Sequence, residues 1–120
     1  MTAPSTGGTT ENTTGSREFG DIATKLLMEN DKVRIWEMRL EPGEKSALHK
    51  HENDYIMIQI SGDRMAADFE PDSAGPWGGQ GGHVEGDIAP GNVLWGDRGG
   101  IETAVNVGKE PFYEIVVELM

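Results

Sequence analysis

Pro42-Gly43-Glu44-Lys45-Ser46-Ala47-Leu48-His49-Lys50-His51 opens an apolar run that continues through Tyr55-Ile56-Met57-Ile58-Gln59-Ile60 and stops at Gly62-Asp63. On a strand, residues i and i+2 project to the same face, so His49 and His51 converge on one point. Two converging imidazoles are half of a metal site. A His-x-His pair also arises on exposed strands that bind nothing, so the surrounding sequence decides its meaning.

Outward from this stretch, short apolar segments alternate with turn residues. Strands are expected over residues 21–28, 33–40, 47–53, 54–61, 64–70, 82–88, 92–96, 101–107 and 112–119. Pro42-Gly43, Gly62-Asp63, Pro90-Gly91, Gly99-Gly100 and Gly108-Lys109 punctuate them. Segment 21–28 could begin with a helical turn, but Glu29-Asn30-Asp31-Lys32 reads as a hairpin turn and favours a strand. No segment keeps a 3.6-residue period over three turns. Many short strands at close spacing give an all-β sandwich or barrel. The longest irregular stretch, 71–81, carries Trp77 and is read as a mobile loop rather than a pocket cover.

The chain has 120 residues, enough for one domain. Residues 1–18 are low in complexity and rich in Thr, Ser, Gly and Asn, and are expected to form a flexible tail before a domain at 19–120. The tail has no basic n-region and no apolar h-region, so it does not read as a signal peptide. No run is long enough to span a membrane. The net charge of −11 argues against nucleic acid and anionic membrane surfaces as partners. The absence of cysteine excludes disulfides, thiolate chemistry and Cys-ligated metals. The expectation is a cytoplasmic protein with a small-molecule substrate.

Side-chain parity adds detail. In 112–119, Glu114 and Glu118 share one face and Tyr113, Ile115, Val117 and Leu119 the other, which reads as a half-exposed strand with its carboxylates outward. In 54–61, Tyr55, Met57 and Gln59 continue the parity of the two histidines, while Ile56, Ile58 and Ile60 fill the opposite face. Such a strand needs cover on both sides. The cover could be the N-terminal strand or a second subunit, and a homodimer with this strand near the interface is expected.

Two sets of spacings resemble the motifs of the cupin superfamily, small β-barrels of jelly-roll type. The first motif places Gly, His, His, an acidic residue and Gly where this chain has Gly43, His49, His51, Tyr55 and Gly62. The second places Gly, Pro, Gly, His and Asn where this chain has Gly91, Asp97, Gly99, Glu102 and Asn106. The resemblance covers about residues 33–119 and implies a single-domain cupin barrel. It also implies a metal centre in which Tyr55 replaces the usual glutamate and Glu102 the usual third histidine. Two imidazoles and one carboxylate suit non-haem Fe(II), and would equally hold Mn(II), Ni(II), Co(II) or Zn(II).

On this reading His49, His51 and Glu102 ligate one divalent metal, Fe(II) favoured, and Glu102 could instead serve as a general base or a paired structural carboxylate. Tyr55 is a weak further ligand, a donor to a bound oxyanion, or a wall residue. Gln59 is the favoured pocket contact because a buried amide needs partners. Trp36, Met38, Leu40, Met57 and Trp95 read as core before substrate contacts. Asp97 and Arg98 read as a loop ion pair before a cavity-rim substrate contact, and His83 as a surface residue. The resemblance implies an Fe(II) dioxygenase first. A metal-dependent lyase, isomerase or dehydratase is the alternative, and a non-catalytic small-molecule-binding cupin the third reading.

Overall fold

Asn30 closes the first hairpin. Its Oδ1 accepts the backbone N–H groups of Lys32 and Val33 at 2.8 and 2.9 Å, which folds β1 (Lys25–Glu29) back onto β2 (Val33–Leu40). The structure, a computed structural model, describes residues 17–74 and 82–120. Residues 1–16 of the expected tail and most of the loop at 71–81 lie outside them; Arg17, counted with the tail, pairs with Glu70 and Asp72. Seven more strands follow in order, nine in all among the described residues: β3 (His49–Lys50), β4 (Tyr55–Ser61), β5 (Arg64–Phe69), β6 (His83–Asp87), β7 (Val93–Gly96), β8 (Ile101–Asn106) and β9 (Phe112–Leu119). They form two antiparallel sheets, β1-β2-β9-β4-β7 and β3-β8-β5-β6. This is the all-β barrel expected from the spacing. Among the described residues no helix is long and apolar enough to cross a membrane.

The turn residues act as read. Gly62 adopts φ +122° between β4 and β5, and a Cβ there would approach the Phe112 ring to 3.1 Å. Only glycine meets both demands. Gly99, at φ +96°, shapes the turn that delivers β8. Asn106, 1% exposed, ties the end of β8 to its surroundings. Its Nδ2 donates to the carbonyls of Leu40 and Glu110, and its Oδ1 accepts from Gly108 N–H.

Two expected strands are shorter than read. Segment 21–28 becomes a strand only at Lys25. Segment 47–53 keeps only His49–Lys50 as strand. His51 is held instead by paired backbone hydrogen bonds to the Gly99-Gly100 turn, at 2.7 and 2.8 Å.

The parity reading of β9 is inverted. Phe112, Glu114, Val116 and Glu118 are buried, and Tyr113, Ile115, Val117 and Leu119 are partly exposed. Strand β9 lies at the centre of its sheet, and Phe112 and Val116 take the glutamate face into the core with Trp36, Met38 and Leu40. Glu118 tolerates burial because Trp36 Nε1, Asn53 Nδ2 and Arg34 Nη1 donate to it at 3.1, 2.9 and 3.4 Å.

The other face of this sheet is not covered by the second sheet; it is apolar across β9, β4 and β7 and carries Glu37 and Arg39 on β2. Cross-strand register aligns Met28, Ile35, Val117, Ile56 and Trp95 in one row. A second row runs through Ile115, Ile58 and Val93.

Candidate metal centre and its cavity

The histidines reach the barrel interior from β3 and the turn after it, and Glu102 reaches it from β8. His49 and Glu102 are direct cross-strand partners, which brings His49 Nε2 to 3.8 Å from Glu102 Oε1. The ligand atoms of His49, His51 and Glu102 lie within 4.8 Å of one another. The two imidazoles meet edge to face, 4.9 Å apart and at 84°.

The donor set fits a divalent cation. His49 Nδ1 lies 2.8 Å from the Ala47 carbonyl; that contact places the ring proton on Nδ1 and leaves the Nε2 lone pair free. His51 is buried, and its Nδ1 has no hydrogen-bond partner among the described residues. Such an atom is costly unless something outside the chain satisfies it. Burial lowers the basicity of His49, and that of His51 to about 3, so both rings are neutral, the form that coordinates metal. Burial pushes Glu102 up to about 7.

Tyr55 stacks on His51 with ring centroids 3.8 Å apart and planes 11° from parallel. Burial, and then the carboxylates of Glu102, Glu114 and Asp97, raise its pKa. Its phenol is therefore a neutral donor beside the cluster. Gln59 lies four residues further along β4, about 13 Å away at the strand rise. It is buried, and its Oε1 accepts from Ala89 N–H at 3.2 Å and Asn92 Nδ2 at 3.4 Å.

A cavity of about 330 Å³ joins these groups, with His49, His51, Tyr55 and Glu102 toward one end and Gln59 and Glu114 toward the other. Met38, Met57 and Met65 are among its apolar walls. A second cavity of about 300 Å³ shares Tyr55 and Glu102 and runs past Phe69, Trp95 and Asp97.

The remaining candidates fall outside the cluster. Arg98 pairs with Asp54, through its backbone N–H at 2.9 Å and its guanidinium at 3.4 Å, rather than with Asp97. Asp97 accepts from Trp95 Nε1 instead. His83 is a surface residue bonded to Asp68 and Glu85. Trp36, Met38 and Leu40 are core, as read, but Trp95, read with them, is 55% exposed on the uncovered face of its sheet. Sequence reasoning missed Glu114 as an inward group. The available signal was that Phe112 and Val116 share its parity.

Comparison with known proteins supports the fold. No protein-family model and no curated protein sequence matches the chain. Solved structures do. A cupin domain from Bordetella pertussis Tohama I aligns over 88% of this chain and 99% of its own, at 20% identity and TM-score 0.66. An RmlC-like cupin family protein with a double-stranded β-helix fold, from Methanocaldococcus jannaschii, aligns over 85% and 86%, at 18% identity and TM-score 0.62. A polyketide cyclase from Streptomyces resistomycificus aligns over 75% and 56%, at 21% identity and TM-score 0.54. The chain has the cupin fold.

Proposed function

We propose that this chain is a divalent-metal-dependent enzyme acting on a small oxygenated organic molecule, and that it works as a non-haem Fe(II) dioxygenase. One observation carries the reading: two neutral imidazoles and one carboxylate meet beside a largely apolar cavity. That ligand set leaves coordination positions open. A divalent ion held there supplies Lewis acidity toward a substrate oxygen, and ferrous iron adds dioxygen chemistry. The chain's own residues do the rest. Met38, Met57 and Leu94 wall the substrate from water. The Tyr55 O–H is placed to donate to an oxygen on which charge develops.

A second reading follows from the neutral phenol. With a redox-silent metal, Tyr55 could hold or deliver a proton in a lyase, isomerase or dehydratase. Solved structures of similar fold include a DMSP lyase and an oxalate oxidase as well as the cyclase, so the fold is compatible with either chemistry. We further propose that the chain is a homodimer, joined through the apolar outer face of the β4 sheet.

The test is metal analysis of protein purified without chelator, beside His51→Ala and Glu102→Ala. The reading expects near-stoichiometric iron, lost in both variants, with dioxygen uptake when substrate is found. Another stoichiometric metal with the same losses moves the assignment to lyase or isomerase chemistry. Folded protein without metal leaves a binding module.

A further inference from the structure

Glu114 and Glu118 project from the same face of β9 and are comparably buried, at 7% and 4% exposure. Glu118 receives three donors. The Glu114 carboxyl has no hydrogen bond to any described residue, although it lines the cavity. Buried polar groups are nearly always paired, so an unpaired carboxyl aimed into a cavity points to a ligand.

Its neighbours define what that ligand offers. Gln59 is its direct cross-strand partner on β4, and Met38 its partner on β2. Gln59 Oε1 faces the Ala89 N–H, a donor only, so the amide oxygen is fixed on that side and the NH2 group turns away from it. No hydrogen bond to a described residue occupies that NH2. Burial, and then the charge of Glu102, push Glu114 up to about 8, so near neutrality it is a carboxylic acid with an O–H to give. Two donors therefore stand side by side in a largely apolar chamber whose other polar groups include the histidine cluster.

We propose that Glu114 and Gln59 form a specificity-determining subsite that hydrogen-bonds a neutral carbonyl or ether-type oxygen of the substrate, remote from the oxygens at the histidine cluster. The substrate class is thus an apolar-bodied molecule with oxygen functions at both ends. The inference rests on reading the cavity as the substrate site; it does not depend on which metal is bound.

The probes are cyclohexanone and methylenecyclohexane, alike in shape and different at one oxygen. Their affinities are read at pH 6 from the methyl signals of Met38, Met57 and Met65, in protein as isolated and after chelator treatment. Glu114→Met should lower the ratio of ketone to alkene affinity about tenfold, the scale of one hydrogen bond, and Glu114→Gln should hold it within about threefold because an amide still donates. In wild type, the infrared carboxylic C=O band that Glu114→Gln removes should shift with the ketone and not with the alkene. This second reading needs no folded Glu114→Met variant. An unchanged ratio in Glu114→Met, an unshifted band, or no binding of either probe overturns the proposal. The metal reading fails separately: protein that never held metal but passes this test keeps the subsite, and metal-replete protein that fails it keeps only the metal centre.

Discussion

Tyr55 lies flat across Gly96. The two are cross-strand partners on β4 and β7, and a Cβ built on Gly96 would fall 2.1 Å from Tyr55 Cζ. The missing side chain of one residue is the space that holds the other's ring against His51. Gly96→Ala should therefore cost about 1–3 kcal/mol, the scale of overpacking, and should weaken metal retention by displacing Tyr55. In a denaturant-melt cycle, Tyr55→Ala should relieve most of the penalty. Additive losses would show that the ring is not what Gly96 accommodates.

Metal should stabilise the fold, because the unfolded chain does not assemble His49, His51 and Glu102. At a metal concentration roughly a hundred times Kd, linkage gives about 2.7 kcal/mol. Thermal melts with and without added Fe(II) under anaerobic conditions should show that gain in wild type. They should show little of it in His49→Ala. Equal gains in both would place the bound metal elsewhere.

Glu114 makes stability fall as pH rises. Its folded value is raised to about 8 from an ordinary 4.5, so between those values the folded state keeps a proton that the unfolded state has released. Stability is then full below about 4.5 and is lost through about 8. Glu114→Gln should flatten this slope in chelator-treated protein. Glu102 and His83 are raised and add loss in the same sense, while His49 and His51 are lowered by burial and oppose it below about 6.5. Urea melts from pH 5 to 9 decide it, and an unchanged slope in Glu114→Gln would show that the carboxyl is already ionised in the fold.

Asp63 acts in the opposite direction. Its carboxylate accepts the backbone N–H groups of Arg64, Lys109 and Glu110 at 3.0 to 3.2 Å, which holds its pKa below the usual value. Its stabilisation is present above about pH 4 and is lost as pH falls through the depressed value. Asp63→Asn should lower stability at pH 7 and reduce the loss on acidification. Acid titration followed by circular dichroism measures both.

Ile58 sits mid-sheet on the uncovered outer face, between Ile115 and Val93. Ile58→Lys should convert a dimer to a monomer while leaving the barrel folded, since the side chain points away from the core. Light scattering after size exclusion reads the mass. A wild-type monomer would remove the dimer proposal.

Much of the barrel was legible because its signals are local. Asn30, Gly62 and Gly99 specify turns by their own side chains or the lack of one, and the i, i+2 spacing of His49 and His51 survives even where the strand around it does not. The orientation of β9 was not legible. Two glutamates four residues apart on one strand face ordinarily mark a wet face, and here they face inward for two different reasons: one is fully bonded by Trp36, Asn53 and Arg34, and the other lines a cavity. Neither reason exists until distant strands meet. Arg98 likewise finds Asp54 across the fold rather than its neighbour Asp97.

The walls of the two cavities also set an order of events. Their described residues include the carboxyl groups of Glu85, Asp87, Asp97, Glu102 and Glu114, and neither lysine nor arginine. Burial holds Glu102 and Glu114 toward the neutral acid and Arg64 offsets Glu85 and Asp87, but in a chain of net charge −11 the surroundings still favour cations over anions. On the proposed reading, a cation held by His49, His51 and Glu102 would have to load before an anionic substrate could enter. Removing that cation would then disfavour such a substrate electrostatically, with no part of the protein having to move.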